Sequence, residues 1–272
     1  PEVVPGLADH GHNLYTLEGS GEIRAALERF EGGRIVVLTA SPAYKCPAAP
    51  YESAMLVDAY CKKRSLRKKT EIAIHAAEPM PMPVAGALAG SQIMMMLAKK
   101  DIAYFPGRQV TKVEAGTLHF ADGTTVTFDL LLYVPPHRVP SVVKAAGLCA
   151  ESGWVGGHRE TMETKFPNVY ALGDVTSIPL KMGRPLPKAG VFAHGQAEVV
   201  AKNIARAWTG SGEAARFDGY GMCFVETSNG RAGIGSGNFY AEPRPAMRLR
   251  MPNLIGHLGK VLYEKYWLFT KF

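Results

Sequence analysis

The chain has 272 residues and a formal net charge of +7, enough length to bury a large core. Hydrophobic residues at 47% and charged residues at 20% make a globular composition and exclude a disordered chain. There is no run of about 18 apolar residues for a membrane-spanning helix. Four cysteines without CxxC or Cys/His spacing exclude a metal knuckle or disulfide scaffold, and no basic tract interleaved with aromatics speaks for nucleic acid. The opening Pro1-Glu2-Val3-Val4-Pro5 is neither a signal peptide nor an initiator Met, so the expectation is a fragment.

In chain order, Glu22 to Phe30 reads as a short helix, with Ile23, Ala26, Leu27 and Phe30 on one face and Gly32-Gly33 as its end. Arg34 to Thr39 (RIVVLT) is a buried strand, Tyr51 to Lys63 a helix, and Thr70 to Ala76 (TEIAIHA) a strand. Residues 34–76 are therefore a βαβ unit and call for a parallel sheet. The basic run from Lys62 to Lys69 closes that helix as a solvated face. Leu88 to Lys100 is a helix in which Met94, Met95 and Met96 read as core filler. Short strands follow at 102–105, 109–114, 117–120 and 124–128, with an Asp122-Gly123 hairpin turn, and Asp129 to Pro135 (DLLLYVP) returns as a buried strand. Val169 to Ile178 reads as strand then turn, and Gly190 to Arg206 as a long helix. Residues 209–216 read as a polar linker, and 222–225 with 232–234 as a hairpin.

Two stretches carry chemistry. In Asn168-Val-Tyr-Ala-Leu-Gly-Asp-Val, an apolar strand runs into Gly173-Asp174. Glycine lets backbone approach a ligand, and a carboxylate at a strand end accepts from a hydroxyl; two-dinucleotide-domain flavoproteins place this shape at the ribityl chain of FAD. The bland alternative is an ordinary turn aspartate. Pro187-Lys188-Ala189-Gly190 opens the long helix, whose free N–H groups suit the electron-rich edge of a reduced flavin, with Lys188 as an added cation. By contrast, the turn after RIVVLT, Ala40 to Glu52, has no glycine and carries Pro42, Pro47 and Pro50. A pyrophosphate needs glycines and free N–H groups. This turn therefore argues against a nicotinamide cofactor.

The strings PAYKCPAAPYE, PNVYALGDVTSIPL, GRPLPKAGVFAHGQAEVVAKNIA and GMCFVETSNGRAGIGSGNFY resemble the sulfide:quinone oxidoreductase and flavocytochrome-type sulfide dehydrogenase flavoproteins, in order along nearly the whole chain. The resemblance implies an α/β fold of two Rossmann-like (FAD/NAD-binding type) domains, the first incomplete, plus a C-terminal amphipathic membrane-facing region. Its expected divisions are 1–31 and 137–208 for the FAD domain, 32–136 for the second Rossmann-like domain with its β-meander, and 209–272 for the hairpin and tail. No G-x-G-x-x-G occurs here, so the pyrophosphate-binding segment is expected to be missing.

The resemblance also implies roles. Cys46 and Cys223 become the redox pair, with Lys45 lowering the Cys46 pKa, while Cys61 and Cys149 stay structural. Gly173, Asp174, Lys188, Ala189 and Gly190 bind the FAD, and no metal is involved. A third redox cysteine of some relatives is replaced here by Tyr15. From Leu254 the apolar Ile255, Leu258, Val261, Leu262 and Tyr266, interleaved with lysines, suit a membrane interface, with Arg244, Arg248 and Arg250 near the headgroups. The implied partners are sulfide or another small sulfur donor, a quinone and a membrane surface, with no nucleic acid. The implied place is peripheral on a prokaryotic membrane, and a homo-oligomer is compatible. Competing readings are a sulfide dehydrogenase subunit donating to a haem partner, an NADH:quinone oxidoreductase, and an inactive fragment.

Overall fold

The computed structural model describes residues 2–271. Two short elements, α1 (Leu7–His10) and β1 (His12–Asn13), precede the helix α2 (Leu17–Arg29). Thr16 caps α2 by accepting from the Gly19 N–H at 3.0 Å, satisfying one of the donors a helix start leaves free. The chain then runs through β2 (Gly33–Thr39), α3 (Ala49–Lys63), β3 (Thr70–Ala76), α4 (Ala87–Ala98) and β4 (Ile102–Phe105). A meander of β5 (Val110–Glu114), β6 (Thr117–Phe120) and β7 (Thr125–Thr127) leads back to β8 (Leu130–Val134). The predicted βαβ unit is realised: all pairings in the five-stranded sheet, ordered β1-β8-β2-β3-β4, are parallel.

The alternation of β2 explains its burial on both faces. Ile35 and Val37 pack with Ile72, Ile74 and the α3 and α4 residues Met55, Ile93 and Leu97. Val36 and Leu38 pack with Val110, Val113, Leu118 and Phe120 of the meander. Ile35 to Leu38 are all fully buried, each side chain worth roughly 1.5–3 kcal/mol. The layers are therefore helices, sheet and meander. Gly33 stands at φ +119°, where a Cβ would lie 2.3 Å from the Asp129 carboxylate, so β2 and β8 meet there only because the residue is glycine.

Beyond β8 come α5 (Ser141–Ala145), a 3₁₀ turn at Gly173–Val175 and α6 (Gly190–Thr209). The segment predicted as a strand over 169–178 makes only isolated bridges, Tyr170 to Glu163 and Thr176 to Val155. A strand needs a neighbouring strand to pair with, and among the described residues there is none beside it. The one parallel sheet described is thus that of residues 12–134. A third core gathers around α6, with Phe192, Val199 and Val200 against Met162, Ile178, Phe217 and Phe239.

The chain ends in a three-stranded antiparallel sheet, β9 (Tyr220–Glu226), β10 (Ala232–Asn238) and β11 (Ala246–Asn253), followed by α7 (Leu254–Lys271). The hairpin was legible; β11 was not, since its arginines mask the alternation. One burial expectation fails: Met94 and Met95 are exposed and only Met96 is buried, because α4 turns one face alone to the sheet. No helix among the described residues is long and apolar enough to cross a membrane.

Candidate functional site

The site is assembled where β2 ends. The chain leaves Thr39 through the proline-rich turn and enters α3, and within that turn Cys46 adopts a left-handed φ of +52°, uncommon for a residue with a side chain. The turn is tied to the start of α6 from outside. The Cys46 N–H donates to the Lys188 carbonyl at 2.7 Å, and Lys45 and Lys188 form a parallel bridge. Tyr15, in the place read as a missing cysteine, donates its hydroxyl to the Lys45 carbonyl at 2.7 Å and stacks edge-on to His137. Burial, then the Cys46 charge, pushes the Tyr15 pKa far up, so its hydroxyl stays a donor.

Cys46 and Cys223 are both free thiols exposed to solvent. They stand within electrostatic reach of one another: desolvation, then the Cys46 charge, then Glu52 push the Cys223 thiol up to about 11. Cys46 is raised too, by desolvation first and Glu52 second, against the backbone N–H groups of Ala48 and Ala49. The expectation that Lys45 lowers the Cys46 pKa is corrected: the Lys45 ammonium lies over the Tyr15 ring, 5.5 Å from its centre. Cys61 is buried in the core, as expected of a structural residue, and Cys149 is half-buried.

Glu52, in the first turn of α3, is the residue sequence reasoning passed over. Its carboxylate accepts from the Glu226 N–H at 2.6 Å, joining the helix after Cys46 to the strand that carries Cys223. Burial is the main cause that raises its pKa. The signal was available: six positions after Cys46, an acid at a helix start. Glu226 in turn pairs with His257 at 3.0 Å and Lys260 at 3.3 Å on α7.

Of the expected flavin residues, Gly173, Asp174, Lys188 and Ala189 line one recess, with Phe192 and Gln196 among its other walls, and Gly190 follows next in the chain. Gly173 is left-handed at φ +72°, and a Cβ there would stand 3.1 Å from that of Ala193. Its N–H donates to Gln196 Oε1 at 2.7 Å, which fixes the turn against α6. Asp174 Oδ1 is buried without a hydrogen-bond partner. Ala189 is the extended N-cap of α6 and Gly190 its first residue, with no side chain capping the helix. An acceptor lacking a donor, beside an uncapped helix start, fits a ligand with hydroxyls and an electron-rich edge, so the residues fit a flavin.

Lys188 lines the recess and is also engaged within its turn. Its ammonium donates to the Asp174 and Thr176 carbonyls at 2.9 and 2.7 Å and sits 3.5 Å from the Trp154 ring centre. Desolvation lowers its pKa to about 8. Its charge braces the turn, and Trp154 was not foreseen because nothing local in Ser-Gly-Trp marks it.

The fold and site define a class: residues 49–200 match the family described as pyridine nucleotide-disulphide oxidoreductase, and the chain belongs to that family. Among its relatives is the mitochondrial sulfide:quinone oxidoreductase of Mus musculus, 22% identical over 80% of this chain and 49% of the relative. Another is the sulfide-quinone reductase of Aquifex aeolicus, 25% identical over 97% of this chain and 64% of the relative. The X-ray structure of the Aquifex aeolicus sulfide:quinone oxidoreductase shares the fold, with a TM-score of 0.83 at 22% identity over 98% of this chain and 65% of that one. The chain thus spans about half to two thirds of the length of these relatives.

Proposed function

We propose that the chain belongs to a flavin-dependent oxidoreductase that passes electrons from sulfide, or a related small sulfur donor, through Cys46 and Cys223 and FAD to a membrane quinone. The observation that supports this reading is that the Cys46 turn is bonded to Lys188 at the Gly173–Asp174 recess, while Glu52, in the helix after Cys46, holds the strand that carries Cys223. The names of the relatives support the donor and acceptor.

In this reading Asp174 accepts from the ribityl hydroxyls, the start of α6 at Ala189 and Gly190 faces the electron-rich edge, and Lys188 holds the turn that presents them. FAD, when bound, takes up two electrons from sulfur and hands them on. The chain's own residues do the rest. Sulfide attacks one sulfur of a Cys46–Cys223 disulfide; that S–S bond breaks, a persulfide forms on one cysteine and the other leaves as a thiolate carrying the electron pair. Desolvation keeps both free thiols protonated at neutral pH, and the Glu52 charge acts on both in the same sense. Residues 1–31 and 137–208 contribute to the flavin-binding half, 32–136 form a nucleotide-type domain without its nucleotide, and 209–272 carry Cys223 and the tail.

The exposed stripe of α7, comprising Leu254, Ile255, Leu258, Leu262, Tyr266 and Phe269, supports peripheral seating on a membrane. The opposite side of α7 rests on the protein, with Tyr263 near Phe224 and Trp267 edge-on to His194. The test is the visible spectrum of the chain reconstituted with FAD, followed anaerobically. Bleaching by sulfide and not by NADH, lost in Cys46→Ser and Cys223→Ser, is expected. Bleaching by NADH alone, or equal bleaching in the serine variants, overturns the reading.

A further inference from the structure

In a dinucleotide-binding βαβ unit, the acid near the end of the second strand takes the ribose hydroxyls of the cofactor. Glu78 stands just past the end of β3, and its carboxylate is occupied differently. It is 1% exposed, and no cation pairs with it among the described residues. Oε2 accepts from Thr39 at 2.6 Å, and Oε1 accepts from both Tyr44 at 2.8 Å and Tyr51 at 2.6 Å. The chain's own hydroxyls thus fill the places a ribose would take.

The positions of those hydroxyls matter more than their number. Thr39 ends β2, Tyr44 lies two residues before Cys46, and Tyr51 lies five after it in the first turn of α3. One carboxylate oxygen therefore clamps both ends of the segment that holds the left-handed Cys46. A buried carboxylate without a cation depends on all its donors, because losing one leaves charge unsolvated. Such a clamp resists displacement more than a neutral contact of the same shape.

We propose that Glu78 is the positioning residue of the Cys46 turn, its carboxylate holding Tyr44 and Tyr51 so that the Cys46 sulfur stands at a fixed place toward Cys223. The anchoring stands on the geometry alone; its service to sulfur exchange rests on the function proposed above. Glu78 touches no reacting atom and acts through the two tyrosines.

The experiment uses the full chain and two readouts. Amide hydrogen exchange, read by peptide mass, reports the turn at residues 44–49 without flavin or sulfide. The equilibrium of the Cys46–Cys223 disulfide against dithiothreitol reports how well the turn presents its sulfur, since a loosened turn lowers the effective concentration of one thiol at the other. Tyr44→Phe, which removes one oxygen and keeps the ring, and Glu78→Gln are expected to speed exchange in the turn and lower the disulfide constant roughly tenfold. The β10 peptides should exchange as in wild type. Wild-type exchange in a folded Tyr44→Phe chain overturns the anchoring. If the wild-type chain forms no disulfide, the sulfur-exchange reading fails, and exchange in the turn still decides the anchor.

Discussion

The two thiols are held in an unusual state for reactive cysteines, since the common device is a neighbouring cation that lowers the pKa. Here desolvation raises both, and Glu52 adds to it at each. A raised thiol pKa means less thiolate at neutral pH, so the alkylation rate of Cys223 should climb until about 11. Glu52→Gln keeps the acceptor for the Glu226 N–H and removes the charge. It should move the pH–rate profiles of both cysteines down, by a shift readable in iodoacetamide labelling followed by peptide mass. Profiles that stay in place would show that Glu52 does not act on the thiols. At Gly173 a different constraint operates. Its positive φ and the nearby Ala193 make Gly173→Ala costly by about 1–2 kcal/mol. The variant should lower FAD affinity by roughly tenfold or more, measured by flavin fluorescence.

At the scale of elements, the question is what keeps the Cys223 hairpin against α3 and α4. One tie is Glu52 to Glu226; the other is a buried charge cluster. Asp58 is fully buried and holds Lys62 and Arg67 at 2.8 Å and Lys100 at 3.4 Å. Lys100 then donates to Ser228 in the β9–β10 turn at 2.9 Å. Burial alone would raise the Asp58 pKa, but the hydrogen bonds from Lys62 and Arg67 and the Lys100 charge outweigh it and hold it below the usual range. Its contribution to stability is therefore present above the unfolded carboxylate value and lost as pH falls through the lowered one. Asp58→Asn should cost about 3 kcal/mol in urea unfolding at neutral pH, and the difference from wild type should shrink in acid. Such ties explain what was legible in sequence and what was not. The strands β2 and β8 announced themselves by apolar runs and β3 by its alternation, and Cys46, Gly173 and Asp174 by the strings around them. Glu52, Glu78, Tyr15 and Trp154 owe their roles to partners 27 to 174 positions away; an acid at a helix start marks Glu52, but no local pattern names its partner.

For the whole molecule, the net charge of +7 and the exposed stripe of α7 act together. The helix is fixed on one side by Glu226 to His257 and Lys260, and by Tyr263 and Trp267 on β9 and α6. Its outer residues can therefore be changed without freeing it. Arg244, Arg248 and Arg250 are exposed just before it, and cations so placed attract an anionic surface. If the stripe enters a lipid interface, Leu258→Glu with Leu262→Glu removes two side chains worth roughly 1.5–3 kcal/mol each. Partitioning onto vesicles of anionic phospholipid should then fall by at least about 100-fold, with an unchanged circular dichroism spectrum. Salt should weaken wild-type binding by screening the arginines and leave the apolar share intact. A wild-type chain that ignores such vesicles and sediments as a dimer, reverting to monomer in the double variant, would show that a second copy covers the stripe, and the proposed membrane seating would have no basis in this helix.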